Sequence, residues 1–123
     1  MQRILVIDDD EALRAMIART LTIAGYQVLQ AKDGDEGLRT VRDGHPDIVV
    51  TDIVMPGKEG LETIRMLRHE FPALPVIAMS GGNMRSGKYL EFAHALGAEI
   101  ILEKPFRATE LIDSISGLLS RSG

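Results

Sequence analysis

Ile48-Val49-Val50-Thr51-Asp52-Ile53-Val54-Met55-Pro56-Gly57 is the stretch whose reading decides the fold. Its first half, a run of β-branched apolar residues, reads as a strand buried on both faces, the kind found inside a parallel sheet. The strand ends in a carboxylate, and Pro56-Gly57 then turns the chain away. In open α/β sheets, ligands and chemistry collect beyond the carboxyl ends of the strands. Asp52 is therefore expected at the mouth of a sheet, on a rigid support.

Upstream, Ile4 to Ile7 is a short buried strand broken by Asp8-Asp9-Asp10-Glu11. A helix follows, with Asp10 as its N-cap, Gly25 as its stop, and Leu13, Met16, Ile17, Leu21 and Ala24 on one face. Tyr26 to Ala31 gives a second strand, Lys32-Asp33-Gly34 a turn, and a short helix through Leu38 and Val41 ends near Asp43-Gly44-His45-Pro46. Downstream of the central strand, a helix turns Leu61, Ile64 and Leu67 inward until Phe71 to Pro75 breaks it. Val76 to Met79 is a fourth strand, stopping at Ser80, and a glycine-rich loop, Gly81 to Gly87, leads to a helix over about Lys88 to Leu96. Gly97 ends that helix, Glu99 to Glu103 is the fifth strand, and Lys104-Pro105 closes it. The last helix, from about Arg107 to Leu119, turns Leu111, Ile112, Ile115, Leu118 and Leu119 to the core. Five strands alternating with five helices predict an α/β architecture, a single doubly wound parallel sheet with helices on both faces. Residues 1–123 are read as one domain, without repeats, linkers or an attached output domain.

Composition narrows the function. A chain of 123 residues has room for one core, and 45% hydrophobic with 26% charged residues is ordinary for a soluble globular protein. The absence of cysteine excludes disulfides and thiolate metal sites. A formal charge of −4 argues against direct nucleic-acid binding, which needs a basic face. No apolar run approaches a membrane span, and Ile4 to Ile7 followed by three aspartates is no signal peptide. A cytoplasmic location without membrane contact is the expectation.

Four polar positions recur at strand ends: Asp8-Asp9, Asp52, Ser80 and Lys104. Singly, each has an ordinary structural reading as a turn, cap, loop or surface residue. Together they converge on one crevice, because these strand ends meet in a doubly wound sheet. Two carboxylates about 4 Å apart repel by roughly 4 kcal/mol at an effective dielectric of about 20, so clustered acids need compensation. Hard oxygen ligands suit Mg²⁺, which keeps waters and takes phosphate oxygens. A carboxylate, a divalent cation, a lysine and a hydroxyl meet the needs of phosphoryl transfer to Asp52. Elsewhere, His45, His69 and His94 lack metal-ligand spacing and read as solvated or structural. Met16, Met66 and Met79 read as core filler, and Asp10 and Glu11 as helix-start residues.

The motifs Val6-Ile7-Asp8-Asp9-Asp10, Val50 to Gly57, Ile77-Ala78-Met79-Ser80-Gly81 and Glu103-Lys104-Pro105-Phe106 stand in order over the whole chain. On these, the sequence resembles the receiver domains of two-component response regulators. The resemblance implies a flavodoxin-like sheet of strand order 2-1-3-4-5, with Asp52 as phospho-acceptor, loaded from a phosphohistidine on a sensor kinase or histidine phosphotransfer protein. It implies that Asp9, Asp52 and the Val54 backbone carbonyl bind Mg²⁺, with Asp8 acting through a metal-bound water. Ser80 and Lys104 would contact the phosphoryl group, and Lys104-Pro105 would be cis. Such a domain is no enzyme on a separate substrate; it catalyses its own phosphorylation and dephosphorylation. A downstream protein would read the face formed by the helix before the fifth strand, that strand, and the last helix. Two departures stand out: Ile101 occupies a place often held by an aromatic ring, and the segment from Ser80 to Lys104 is longer than usual. The response to phosphorylation is accordingly expected in Gly81 to Gly87 and the start of the next helix.

Three rival readings exist. Gly82 to Lys88 nearly spells a nucleotide-binding P-loop, but Tyr89 stands where the motif needs Ser or Thr. Asp8-Asp9-Asp10 mimics the Asp-x-Asp of aspartyl-phosphate phosphatases, which would make Asp8 the nucleophile. A receiver-shaped interaction module that is never phosphorylated is the third.

Overall fold

Alternation along the strands builds the two cores of this protein. In β1 (Arg3–Ile7), Ile4 and Val6 point to one side of the sheet while Leu5 and Ile7 point to the other. In β3 (Ile48–Asp52), Ile48 and Val50 join the first set and Val49 the second. Both sides are apolar, which is why these strands read as unbroken hydrophobic runs and not as alternating ones. The computed structural model describes residues 1–53, 60–81, 91, 94, 95 and 97–122, the side chains of 121 and 122 excepted.

The remaining elements are α1 (Glu11–Ile23), β2 (Gln27–Ala31), α2 (Gly34–Gly44), α3 (Gly60–Glu70), β4 (Val76–Ser80), β5 (Ile100–Glu103) and α4 (Ala108–Ser122). The five strands form one parallel sheet in the order β2-β1-β3-β4-β5, so the chain winds outward in both directions from the β1–β3 pair. One core is filled from α2 and α3 by Leu38, Val41, Ile64 and Leu67. The other is filled from α1 and α4 by Ile17, Leu21, Leu111 and Ile115. Most of the expected helix over Lys88 to Leu96 lies outside the described residues, although Glu91, His94 and Ala95 are helical. The expected switch loop and the P-loop-like stretch also fall there beyond Gly81. Among the described residues, no helix is long and apolar enough to cross a membrane.

Local chemistry explains the element ends. Asp10 caps α1 by accepting from the Leu13 N–H at 3.1 Å. Asp33, expected in a turn, caps α2 in the same way, accepting from the Glu36 N–H at 2.8 Å. His45 closes α2 in the left-handed region at φ 46°, donating its N–H to the Val41 carbonyl. α4 runs past the expected Leu119 to Ser122.

Two expectations for α1 need correction. Met16 is 60% exposed and does not fill the core, and Ala24 is an exposed C-cap. The helix rests on Leu13, Ile17, Ala18 and Leu21, and at 100° per residue Met16 and Ile23 fall on the outward side. Met79 is fully buried and Met66 packs partly buried against the core, as expected.

Arginines tie the helices across the outside. Arg42 of α2 makes a bidentate pair with Glu70 of α3, both contacts at 2.8 Å. Hydrogen bonding from this guanidinium holds the Glu70 carboxyl below its usual range. Arg68 reaches from α3 to the carbonyls of Pro72 and Gly97 and to the Glu99 carboxylate.

Two glycines make a sharp contrast. A Cβ at Gly60 would stand 2.2 Å from the Asp52 carbonyl oxygen and 2.5 Å from the Ile53 Cα, whereas one at Gly117 would meet nothing within 4 Å. Gly117→Ala, on an exposed helix position, should raise stability by about 0.5–1 kcal/mol. Gly60→Ala should lower it by more than about 2 kcal/mol, because backbone cannot give way cheaply. Urea denaturation of both variants checks the pair of signs.

Candidate functional site

The period of two that builds the cores also aims the polar groups. Asp8 continues the set Ile4, Val6; Asp52 continues Ile48, Val50; and Lys104 stands two residues after Leu102, on the same side of the sheet. All three emerge at carboxyl ends of strands: Asp8 and Asp52 on the neighbours β1 and β3, and Lys104 on β5, across β4 from Asp52. The ladder holds them past the strand ends: the Asp8 N–H donates to the Ala31 carbonyl, Ile53 N–H to Met79, and Lys104 N–H to Ser80 at 2.7 Å. The Lys104–Pro105 peptide is cis, as the resemblance implied.

Lys104 Nζ lies 3.2 Å from Asp8 Oδ2 and 3.3 Å from Asp52 Oδ2, bridging the two acids. Asp8 is fully buried and Asp52 only 6% exposed. A second oxygen of Asp8 accepts from the Asp10 N–H at 2.9 Å. Asp9 is exposed at the rim. One carboxylate oxygen from each of Asp8, Asp9 and Asp52 falls within 4.8 Å of the others. The buried pair alone, at that separation, repels by roughly 3.5 kcal/mol at an effective dielectric of about 20.

Among the described residues Lys104 bridges two of these three acids, and a divalent cation would compensate the crowded charge further. The donor set is all carboxylate, which suits a hard cation such as Mg²⁺ and not a soft one. Ser80 ends β4 with its Oγ buried and without a hydrogen-bond partner among the described residues. A buried hydroxyl left so is costly and fits a site that takes an oxygen-rich anion. The Val54 carbonyl, expected among the metal ligands, lies outside the described residues. The structure thus brings together Asp8, Asp9, Asp52 and Lys104, with Ser80 ending the adjacent strand.

Sequence reasoning passed over two residues that shape this corner. Gly60 donates its N–H to the Ile53 carbonyl at 2.9 Å, drawing the start of α3 against the backbone of Asp52. Arg14 donates through Nη1 to the Asp8 carbonyl at 2.8 Å and through Nε to Gln30 Oε1 at 3.2 Å. The only signal in the sequence was the placement of Arg14 one turn after the Asp10 cap.

Comparison with known proteins places the chain in a family. The family model described as response regulator receiver domain matches residues 4–116. Response regulator MprA of Mycobacterium sp. (strain KMS) is 38% identical over 120 residues, covering 98% of this chain and 51% of that protein. The same-named protein of Mycobacterium leprae (strain TN) is also 38% identical, with 52% of it covered. The chain therefore spans about half the length of the curated relatives it matches. Among solved structures, a response regulator receiver domain protein from Clostridium thermocellum aligns with a TM-score of 0.92 at 31% identity, covering 99% of this chain and 97% of that one. The receiver domain of NtrX from Brucella abortus aligns with a TM-score of 0.89 at 32% identity, covering 95% and 98%. With its 2-1-3-4-5 sheet and its acids and lysine at the strand ends, the chain belongs to the response regulator receiver domain family.

Proposed function

We propose that this receiver domain takes a phosphoryl group onto Asp52 from a phosphohistidine of a sensor kinase or a histidine phosphotransfer protein. The observation that carries the reading is the convergence of Asp8, Asp9 and Lys104 Nζ on the Asp52 carboxylate. An Asp52 oxygen attacks phosphorus in line, the N–P bond of the donor breaks, and its electron pair leaves with the imidazole. The product is an acyl phosphate on Asp52. Lys104, already between two carboxylates, exchanges part of that pairing for a phosphoryl oxygen. The Ser80 hydroxyl gains the acceptor it lacks. Asp9, Asp52 and the Val54 carbonyl would hold Mg²⁺, with Asp8 acting through a water, and the ion would supply positive charge against the phosphoryl oxygens.

On this reading the domain acts on no separate substrate and catalyses only its own phosphorylation and dephosphorylation, in the cytoplasm. A downstream protein reads the face of β5, α4 and the helical segment before β5. Incubation with a small phosphodonor and Mg²⁺ should add one phosphoryl group to the wild type by intact-mass analysis. Equal labelling of Asp52→Asn would sink the assignment. The consecutive acids differ in role, so Asp9→Ala should weaken Mg²⁺ binding more than Asp10→Ala does. Asp10→Ala should instead cost about 1 kcal/mol of stability through the lost cap. Mg²⁺ titration beside urea denaturation separates the two, and a weaker binder in Asp10→Ala would reverse the roles.

A further inference from the structure

We propose that Arg14 is a positioning residue for the acidic site: tied to β2 through Gln30, its guanidinium holds the Asp8 carbonyl and so sets the direction in which Asp9 faces Asp52. The inference rests on reading the three acids as a Mg²⁺ site. Asp8 and Asp9 share one peptide plane, and fixing its carbonyl fixes the approach to the Asp9 Cα. The Asp8 N–H is already pinned to the Ala31 carbonyl at 3.1 Å, and the Asp8 carboxylate to Lys104 and the Asp10 N–H. The Asp9 side chain is exposed and makes no hydrogen bond among the described residues, so within them its aim is set by its backbone. The contact on that peptide from outside the turn is Arg14 Nη1 at 2.8 Å, and the guanidinium is held from its other edge by Gln30 at 3.2 Å. A planar fork with donors on two edges can bridge a carbonyl and an amide oxygen at fixed geometry; a lysine ammonium cannot hold both in that way.

The sign of the effect separates this role from simple charge compensation. A cation beside the site repels Mg²⁺, so a purely electrostatic Arg14 would bind the metal more tightly when neutralised. A positioning Arg14 would bind it less tightly. Titrating Mg²⁺ alone into wild type, Arg14→Leu, Arg14→Lys and Gln30→Leu, followed by backbone amide shifts, should give an apparent Kd about tenfold higher in Arg14→Leu, in the range seen for supports of metal ligands. Arg14→Lys should recover part of the loss, and Gln30→Leu should show a smaller one. Urea midpoints measured alongside report any loss of fold separately. Tighter or unchanged Mg²⁺ binding in folded Arg14→Leu overturns the proposal. Should that variant fail to fold, wild-type affinity in both Arg14→Lys and Gln30→Leu overturns it equally. A wild type that binds no Mg²⁺ removes the metal reading beneath it, which the mutants alone would not show.

Discussion

Two carboxylates on neighbouring strands, both taken out of water, need a cation between them, and that need organises the top of this molecule. Asp8 and Asp52 repel each other, and burial weakens the screening that would otherwise make the repulsion cheap. Lys104 Nζ touches both. It reaches them only because β5 ends where it does, with the Lys104 N–H held on the Ser80 carbonyl across β4. Sheet register and charge balance are thus one constraint. A slip of one residue in β5 would turn the lysine to the opposite face and leave two buried acids facing each other.

Three consecutive aspartates have three different physical situations. Asp8 is buried, one oxygen facing Lys104 and the other the Asp10 N–H. Asp9 is exposed, its side chain without a hydrogen bond among the described residues. Asp10 is spent on the Leu13 N–H at the helix start. Identical side chains acquire separate roles because the strand's alternation gives way to a helix cap within three residues.

The convergence of Asp8, Asp52 and Lys104 was legible because each closes an apolar run, and the strand ends of a doubly wound sheet meet at one crevice. The N-cap at Asp10 and the stop at Gly25, which takes φ 103° just after the cap, were legible for local reasons. What escaped depends on neighbours distant in sequence. Met16 was assigned to the wrong stripe of α1 because Leu13, Ile17 and Leu21 share spacing with more than one apolar face, and only docking on the sheet chooses between them. Asp33 reads as turn or cap with equal ease until α2 is seen to begin at Gly34. Arg14 and Gly60 matter through contacts to Gln30 on the edge strand and to the Asp52 backbone, which no periodicity reveals.

The Arg68 clamp has a mechanical meaning. Its guanidinium grips the Gly97 and Pro72 carbonyls and Glu99, and its stem lies so close to Gly97 that a Cβ there would come within 2.6 Å of Nε. The buried Ala98 follows immediately. Across the sheet, the Lys104 N–H is held on the Ser80 carbonyl of β4. The entry to β5 is thereby moored to α3 while its exit is moored to β4 at the acidic crevice. A sliding of β5 along its neighbour would have to break the Arg68 grip first, so the lysine that balances the buried acids is secured from the far end of its own strand.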